Sequence, residues 1–156
     1  MGHDRRQGME NETSGLHPQI IKADWLLREE KYHEAAELYA SCLKKEPGHT
    51  EALRKLGFCR LKLNQTQEAR QAWDKLNQIR PGDHFVALYT GLSHAMDNNV
   101  QKAINSWKSY FNIKQPLIQR EINLIMALHE RGDHLDPAEV VKSVEEAMAA
   151  QLTSQR

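Results

Sequence analysis

Three alanines, Ala35, Ala69 and Ala103, stand 34 residues apart, and other columns keep the same interval. Four residues after each comes an aromatic: Tyr39, Trp73, Trp107. Twelve residues before each comes a small residue: Ala23, Gly57, Gly91. Twelve residues after the first two come Pro47 and Pro81, and Pro116 falls one place late in the third. Concordant columns at one interval are the mark of a chain built from copies of one supersecondary unit.

Each copy reads as two helices. The first helices are expected over Pro18–Glu29, Glu51–Leu63 and Phe85–Met96, and the second over Tyr32–Lys45, Gln67–Gln78 and Val100–Ile113. Asn64-Gln65 and Asp97-Asn98-Asn99 supply turn residues between them, and proline ends each second helix. The small residue and the alanine let two helices approach closely, and the aromatic one turn on fills the wedge beyond. After Pro116 the columns fade while helical spacing persists. Ile118, Ile122, Ile125, Met126 and His129 form one stripe, and Arg131-Gly132-Asp133 reads as a helix stop. Asp136-Pro137-Ala138-Glu139 then reads as an N-cap with proline at N1. The last helix, to about Leu152, is expected to bury Val140, Val141, Val144, Met148 and Leu152.

The period, with Lys31-Tyr32-His33-Glu34-Ala35, Leu56-Gly57, Gln67-Glu68-Ala69, Thr90-Gly91 and Lys102-Ala103, resembles the tetratricopeptide repeat. Unit one departs from the pattern, with Ala23 for glycine and Gln19 for the early aromatic. The resemblance implies an all-α, right-handed α-solenoid of three hairpins at 16–49, 50–83 and 84–116. The atypical helices of 117–156 would then cap the exposed end. Residues 1–15, charged and poor in apolar side chains, are expected to be a disordered tail.

The resemblance also implies that the first helices line a concave groove for a protein partner. Groove-facing candidates are then Arg54, Phe58, Leu61 and Lys62 in unit two, and Phe85, Leu88, Leu92 and Met96 in unit three. Large apolar residues there suit an extended or helical peptide, oriented by Arg54 and Lys62. A carboxylate clamp for C-terminal tails, another family use, is not expected. Its places hold Ile20, Asp24, Phe85 and Tyr89. Three hairpins plus a helical cap also resemble the bacterial type III secretion translocator chaperones, which hold an anchor segment in the concave face.

Charge narrows the partner. Lys+Arg and Asp+Glu number 21 each, which counts against a general phosphate-backbone binder. Yet residues 1–49 carry −2, 50–116 carry +5 and 117–156 carry −3, so the basic block coincides with most of the candidate groove. An apolar partner segment with acidic character is the expectation. The competing class is a self-assembling scaffold, with Ile21 and Trp25 at the N-terminal face as a self-association surface and a homodimer as its simplest product.

Chemistry is not expected. The histidines lack zincin spacing, Cys42 and Cys59 fit buried inert thiols, and no nucleophile elbow, P-loop or dinucleotide fingerprint is present. The sequence therefore reads as a non-enzymatic binding module without metal or cofactor. No apolar run reaches the roughly 20 residues of a spanning helix. A bacterial, cytoplasmic setting is the expectation.

Overall fold

The structure, a computed structural model, describes residues 18–155. The expectation for residues 1–15 lies outside them. No strand occurs among the described residues. Eight helices follow one another: α1 (18–28), α2 (Tyr32–Lys45), α3 (Thr50–Lys62), α4 (Thr66–Ile79), α5 (His84–Met96), α6 (Val100–Trp107), α7 (Pro116–Glu130) and α8 (Pro137–Ser154). The chain divides into two compact units, meeting between Ile79 and Arg80. The first holds α1 to α4 and the second α5 to α8.

The repeat becomes geometry in the turns. Glu30, Asn64 and Asn98 adopt the left-handed conformation with φ of 59°, 63° and 61°. The next residue of each turn donates back to the helix just ended, Lys31 to Leu26 O, Gln65 to Arg60 O and Asn99 to His94 O, at 2.8–2.9 Å. This closes the helix end in a Schellman-type arrangement. A fourth copy follows in step, with Gly132 at φ 92° and Asp133 donating to Leu128 O at 3.0 Å. The Arg131-Gly132-Asp133 helix stop is thus the same turn at the same interval, although the other columns have lapsed by then.

Within the first unit, α3 packs on both α2 and α4. Ala23, Leu26, Ala35, Ala36, Tyr39, Ala52 and Cys59 form one buried cluster. Gly57 explains why its column admits no bulk: a Cβ there would lie 2.1 Å from Nε1 of Trp73. The indole itself is held by Arg54 O, which accepts from Nε1 at 3.3 Å. The second unit repeats this step, with a Cβ at Gly91 meeting Trp107 Nε1 at 2.1 Å and Leu88 O accepting from that nitrogen at 3.0 Å. In the first hairpin the pair is Ala23 and Tyr39, both fully buried. The single phenol ring leaves room for one methyl where the indole leaves none.

Helix starts follow local chemistry. Asp83 caps α5 by accepting from Phe85 N at 2.8 Å and Val86 N at 3.3 Å. Asn99 caps α6 through Lys102 N at 3.0 Å, and Asp136 caps α8 through Glu139 N at 3.2 Å. His49 holds the place equivalent to Asp83 and uses Nδ1, which accepts from Ala52 N at 3.1 Å.

Two expectations are corrected. The helix expected to reach Ile113 ends at Trp107. Hydroxyls of Ser106 and Ser109 bond to Lys102 O and Ser106 O, and Asn112 Oδ1 accepts from Lys114 N, so side chains compete for the backbone groups of the next turn. Tyr110 meanwhile turns inward and is buried, edge-on to His84 at 6.3 Å. In α8, Val140 and Val144 are buried as expected, but Leu152 is 65% exposed and its neighbour Gln151 is buried instead. The Gln151 Oε1 accepts from Leu117 N at 2.7 Å, supplying the N-terminal cap that Gln115 does not give α7.

Candidate functional site

The first helices of the first unit, α1 and α3, border a cleft of about 380 Å³ lined by Ile21, Asp24, Leu27, Arg28 and Lys55. Its polar floor is a network joining three helices. Asp24 Oδ1 accepts from the buried Tyr39 hydroxyl and from Lys55 Nζ at 3.0 Å. Lys55 Nζ also lies 3.8 Å from Glu51 Oε2, and Glu51 pairs in turn with Arg54. Burial, then the adjoining carboxylate, pushes the Tyr39 hydroxyl far above its ordinary range, so it keeps the proton it donates to Asp24. The Asp24 charge is therefore met from within the protein. Arg28 forms no ion pair among the described residues, which leaves the rim of the cleft cationic beside the apolar Ile21 and Leu27.

Trp25, adjoining Asp24 on α1, is 49% exposed, with Lys31 Nζ 5.7 Å from its ring centroid. Ile21 is exposed on the same helix. Further along α3, Phe58 is half-buried, edge-on to Tyr32 at 6.3 Å, with Lys62 Nζ 5.5 Å from its ring. Arg54 is half-buried and Lys62 exposed, whereas Leu61 is buried. Leu61 thus serves the interior. Lys55 was not singled out from the sequence, although it stands one interval after Ile21 and one before Tyr89.

The second unit treats its first helix differently. Phe85 and Tyr89 stack with centroids 4.3 Å apart, and Leu88 and Leu92 are buried. Phe85 and Met96 are half-buried. Helix α8 packs against α5 as well as α7. The Tyr89 hydroxyl is pushed upward chiefly by burial and secondarily by the Glu145 carboxylate of α8. Leu88 and Leu92 accordingly belong to the interior in this state. Phe111 and Ile113, 66% and 76% exposed in the segment between α6 and α7, are large apolar residues that helical pattern alone did not single out.

Cys42 and Cys59 are both buried and unpaired. Burial pushes both thiols up, Cys59 to about 11, which suppresses the reactive thiolate at neutral pH. Among the described residues no helix is long and apolar enough to cross a membrane.

Residues 26–92 match the tetratricopeptide repeat family. Solved structures extend the likeness over most of the chain. MamA from Desulfovibrio magneticus RS-1, residues 41 to the end, matches with a TM-score of 0.64 at 22% identity, over 87% of this chain and 77% of that one. The first TPR domain of the human RPAP3 protein, solved by NMR, matches at 0.57 with 11% identity, over 89% of this chain and 96% of its own. The MamA MSR-1 C2 structure matches at 0.56 with 13% identity, over 94% and 95%. A comparison with curated proteins found no match. At these identities the likeness establishes the fold, which is all-α and tetratricopeptide-like. Such a fold is that of a protein–protein interaction module.

Proposed function

We propose that this chain is a small adaptor or chaperone that holds a segment of a partner protein on the first-helix face of its first unit. The segment is apolar with acidic character. The observation that carries this reading is the cleft itself: Ile21 and Leu27 offer aliphatic surface, while Arg28 and Lys55 add cationic groups at its edge. Phe58, Lys62 and Arg54 extend the same chemistry along α3. A ligand carboxylate would gain most from Arg28, since Lys55 already serves Asp24. Holding a partner's extended segment is also what the resemblance to translocator chaperones implies.

The protein provides its own reporter. Trp73 and Trp107 are fully buried, so a ligand reaching the cleft changes chiefly the emission of Trp25. Peptides selected from a displayed random library on the intact chain are expected to combine aliphatic with acidic residues and to shift Trp25 emission. Arg28→Glu with Lys62→Glu should weaken them at least about tenfold, about 1.4 kcal/mol. Unchanged affinity in that variant would remove the cleft from the reading.

A second reading, self-association, is favoured by one observation: Ile21 and Trp25 are 55% and 49% exposed side by side in helical register. Sedimentation of the intact chain and of Trp25→Ala decides it. A homodimer that Trp25→Ala turns monomeric supports it, and a monomeric parent chain removes it.

A further inference from the structure

Helix α6 departs from the repeat in length. Its counterparts α2 and α4 run 14 residues each, whereas α6 runs 8. The residues so released form a connector to α7. It presents Phe111 and Ile113, the two most exposed large apolar side chains among the described residues. Flanking Asn112, they concentrate apolar surface that water disfavours.

The backbone of the connector is provided for from within the chain. Asn112 N donates to Gln119 Oε1 at 2.7 Å, Lys114 N to Asn112 Oδ1 at 3.1 Å and Gln115 N to Asn112 O at 3.2 Å. Tyr110 O accepts from Gln119 Nε2 and Lys114 O from Gln155 Nε2, both at 3.4 Å. Irregular backbone that approaches hydrocarbon needs such internal partners, because lipid offers none. A protein partner makes them unnecessary, since it can bond the connector itself.

The charge around these two side chains has one sign. From Asn98 to Arg120 the chain carries Lys102, Lys108, Lys114 and Arg120 and no carboxylate side chain. The bonds of Gln151 and Gln155 bring the end of α8 to the start of α7 and to the connector. That end, from Ala147 to Gln155, also lacks carboxylate side chains and adds the exposed Leu152. Lys108, Lys114 and Arg120 are exposed and form no ion pair among the described residues. A second copy placed face to face would set these cations against their own like.

We infer that the connector between α6 and α7 is a membrane-contact loop, and that its occupant is the surface of an anionic lipid bilayer. Phe111 and Ile113 enter the boundary between headgroups and acyl chains, while Lys108 and Lys114 keep their ammonium groups among the anionic headgroups. No helix has to cross the bilayer. The loop belongs to the second unit, so it is independent of the cleft in the first.

The test floats the intact chain with vesicles of phosphatidylcholine, either alone or with about 30% phosphatidylserine. At low salt, recovery with the anionic vesicles is expected to exceed that with the neutral ones at least about tenfold. Phe111→Ser with Ile113→Ser should lower it at least about tenfold, and Lys108→Gln with Lys114→Gln at least about fivefold. All four side chains are exposed, so the core is untouched. Cys42 and Cys59 are buried, so Ile113→Cys allows a nitrobenzoxadiazole dye to be attached at the loop. Its emission should move to the blue on anionic vesicles. No recovery with anionic vesicles, or an unmoved dye on floated protein, overturns the inference. So does recovery that either double variant retains, which would make the wider basic block the adsorbing surface. A homodimer that Phe111→Ser with Ile113→Ser turns monomeric assigns the loop to a second copy and overturns it too.

Discussion

First helices of one repeat end in opposite situations. In the first unit, α1 and α3 border an open cleft whose charges are partly settled internally by Tyr39, Asp24 and Lys55. In the second unit, α5 lies under α8, with Leu88 and Leu92 buried. Yet the hairpins beneath are nearly superimposable in chemistry: Gly57 under Trp73, and Gly91 under Trp107. The repeat therefore governs how a hairpin closes. What its outer face meets is governed by residues outside the repeat, here the C-terminal helix. Folding and function are carried by different columns of the same 34-residue unit.

The strongest way to break this comparison is at the shared step. A methyl at position 91 would stand 2.1 Å from Trp107 Nε1, with the indole fully buried and bonded to Leu88 O. Gly91→Ala is expected to lower the stability of the second unit by about 3 kcal/mol, and Gly57→Ala that of the first by a similar amount. Urea denaturation of each variant checks both. A cost below about 1 kcal/mol at either site would mean that the two hairpins are not closed by the same contact. The first hairpin suggests the remedy, since it carries Ala23 opposite Tyr39. Adding Trp107→Tyr to Gly91→Ala should recover at least about 1 kcal/mol, a coupling visible in the double-mutant cycle. Recovery stays partial because Leu92 stands where Asp24 accepts the Tyr39 hydroxyl.

A smaller change sharpens the difference between the units. Gln151 is buried to satisfy Leu117 N at the start of α7. Gln151→Leu keeps the volume and deletes the acceptor, leaving an N-terminal amide of α7 unmet. A loss of about 1–2 kcal/mol is expected, confined to the second unit. Hydrogen exchange should show faster amides in α7 and α8 and unchanged ones in α2 and α3. Equal acceleration in both units would show that they unfold as one.

What was legible beforehand follows the range of the contacts concerned. The glycine–tryptophan steps, the turn asparagines and the Asp136 cap are set by residues close in sequence or locked to the period, and they stand in the structure where the pattern put them. The end of α6 is not legible in the pattern because apolar spacing continues through Tyr110 to Ile113. Ser106, Ser109 and Asn112 instead offer side-chain partners that the helix cannot match. Hydrophobicity ranks Leu152 above Gln151 for burial. The ranking fails where a polar side chain meets a helix start 34 residues away in sequence. The role of Lys55 is hidden for a similar reason, since its partner Asp24 lies on another helix. The covering of α5 by α8 is invisible to any pattern within the repeat, because α8 carries none of the repeat's paired columns.

The finest difference between the copies lies in the first turn. Position four residues before Glu34 holds Glu30 at φ 59°, where the later copies place Asn64, Asn98 and Gly132. A side chain branching only beyond Cβ still pays the steric penalty of the left-handed region, about 1 kcal/mol, which asparagine partly offsets by local hydrogen bonding and glycine avoids. Glu30 also places a carboxylate beside the carbonyl end of α1, the unfavourable end of the helix dipole. Both effects have the same sign. Glu30→Asn is therefore expected to raise the stability of the first unit by about 0.5–1 kcal/mol, with a higher urea midpoint and an unchanged slope. The residue projects from a turn and lines no part of the cleft, so peptide affinity read through Trp25 should stay the same. A stabilised chain with unaltered affinity would confirm that closing the hairpin and presenting the cleft are independent. If affinity fell with rising stability, the first hairpin would have to flex for a ligand to enter, and the open cleft would be only one of its working states.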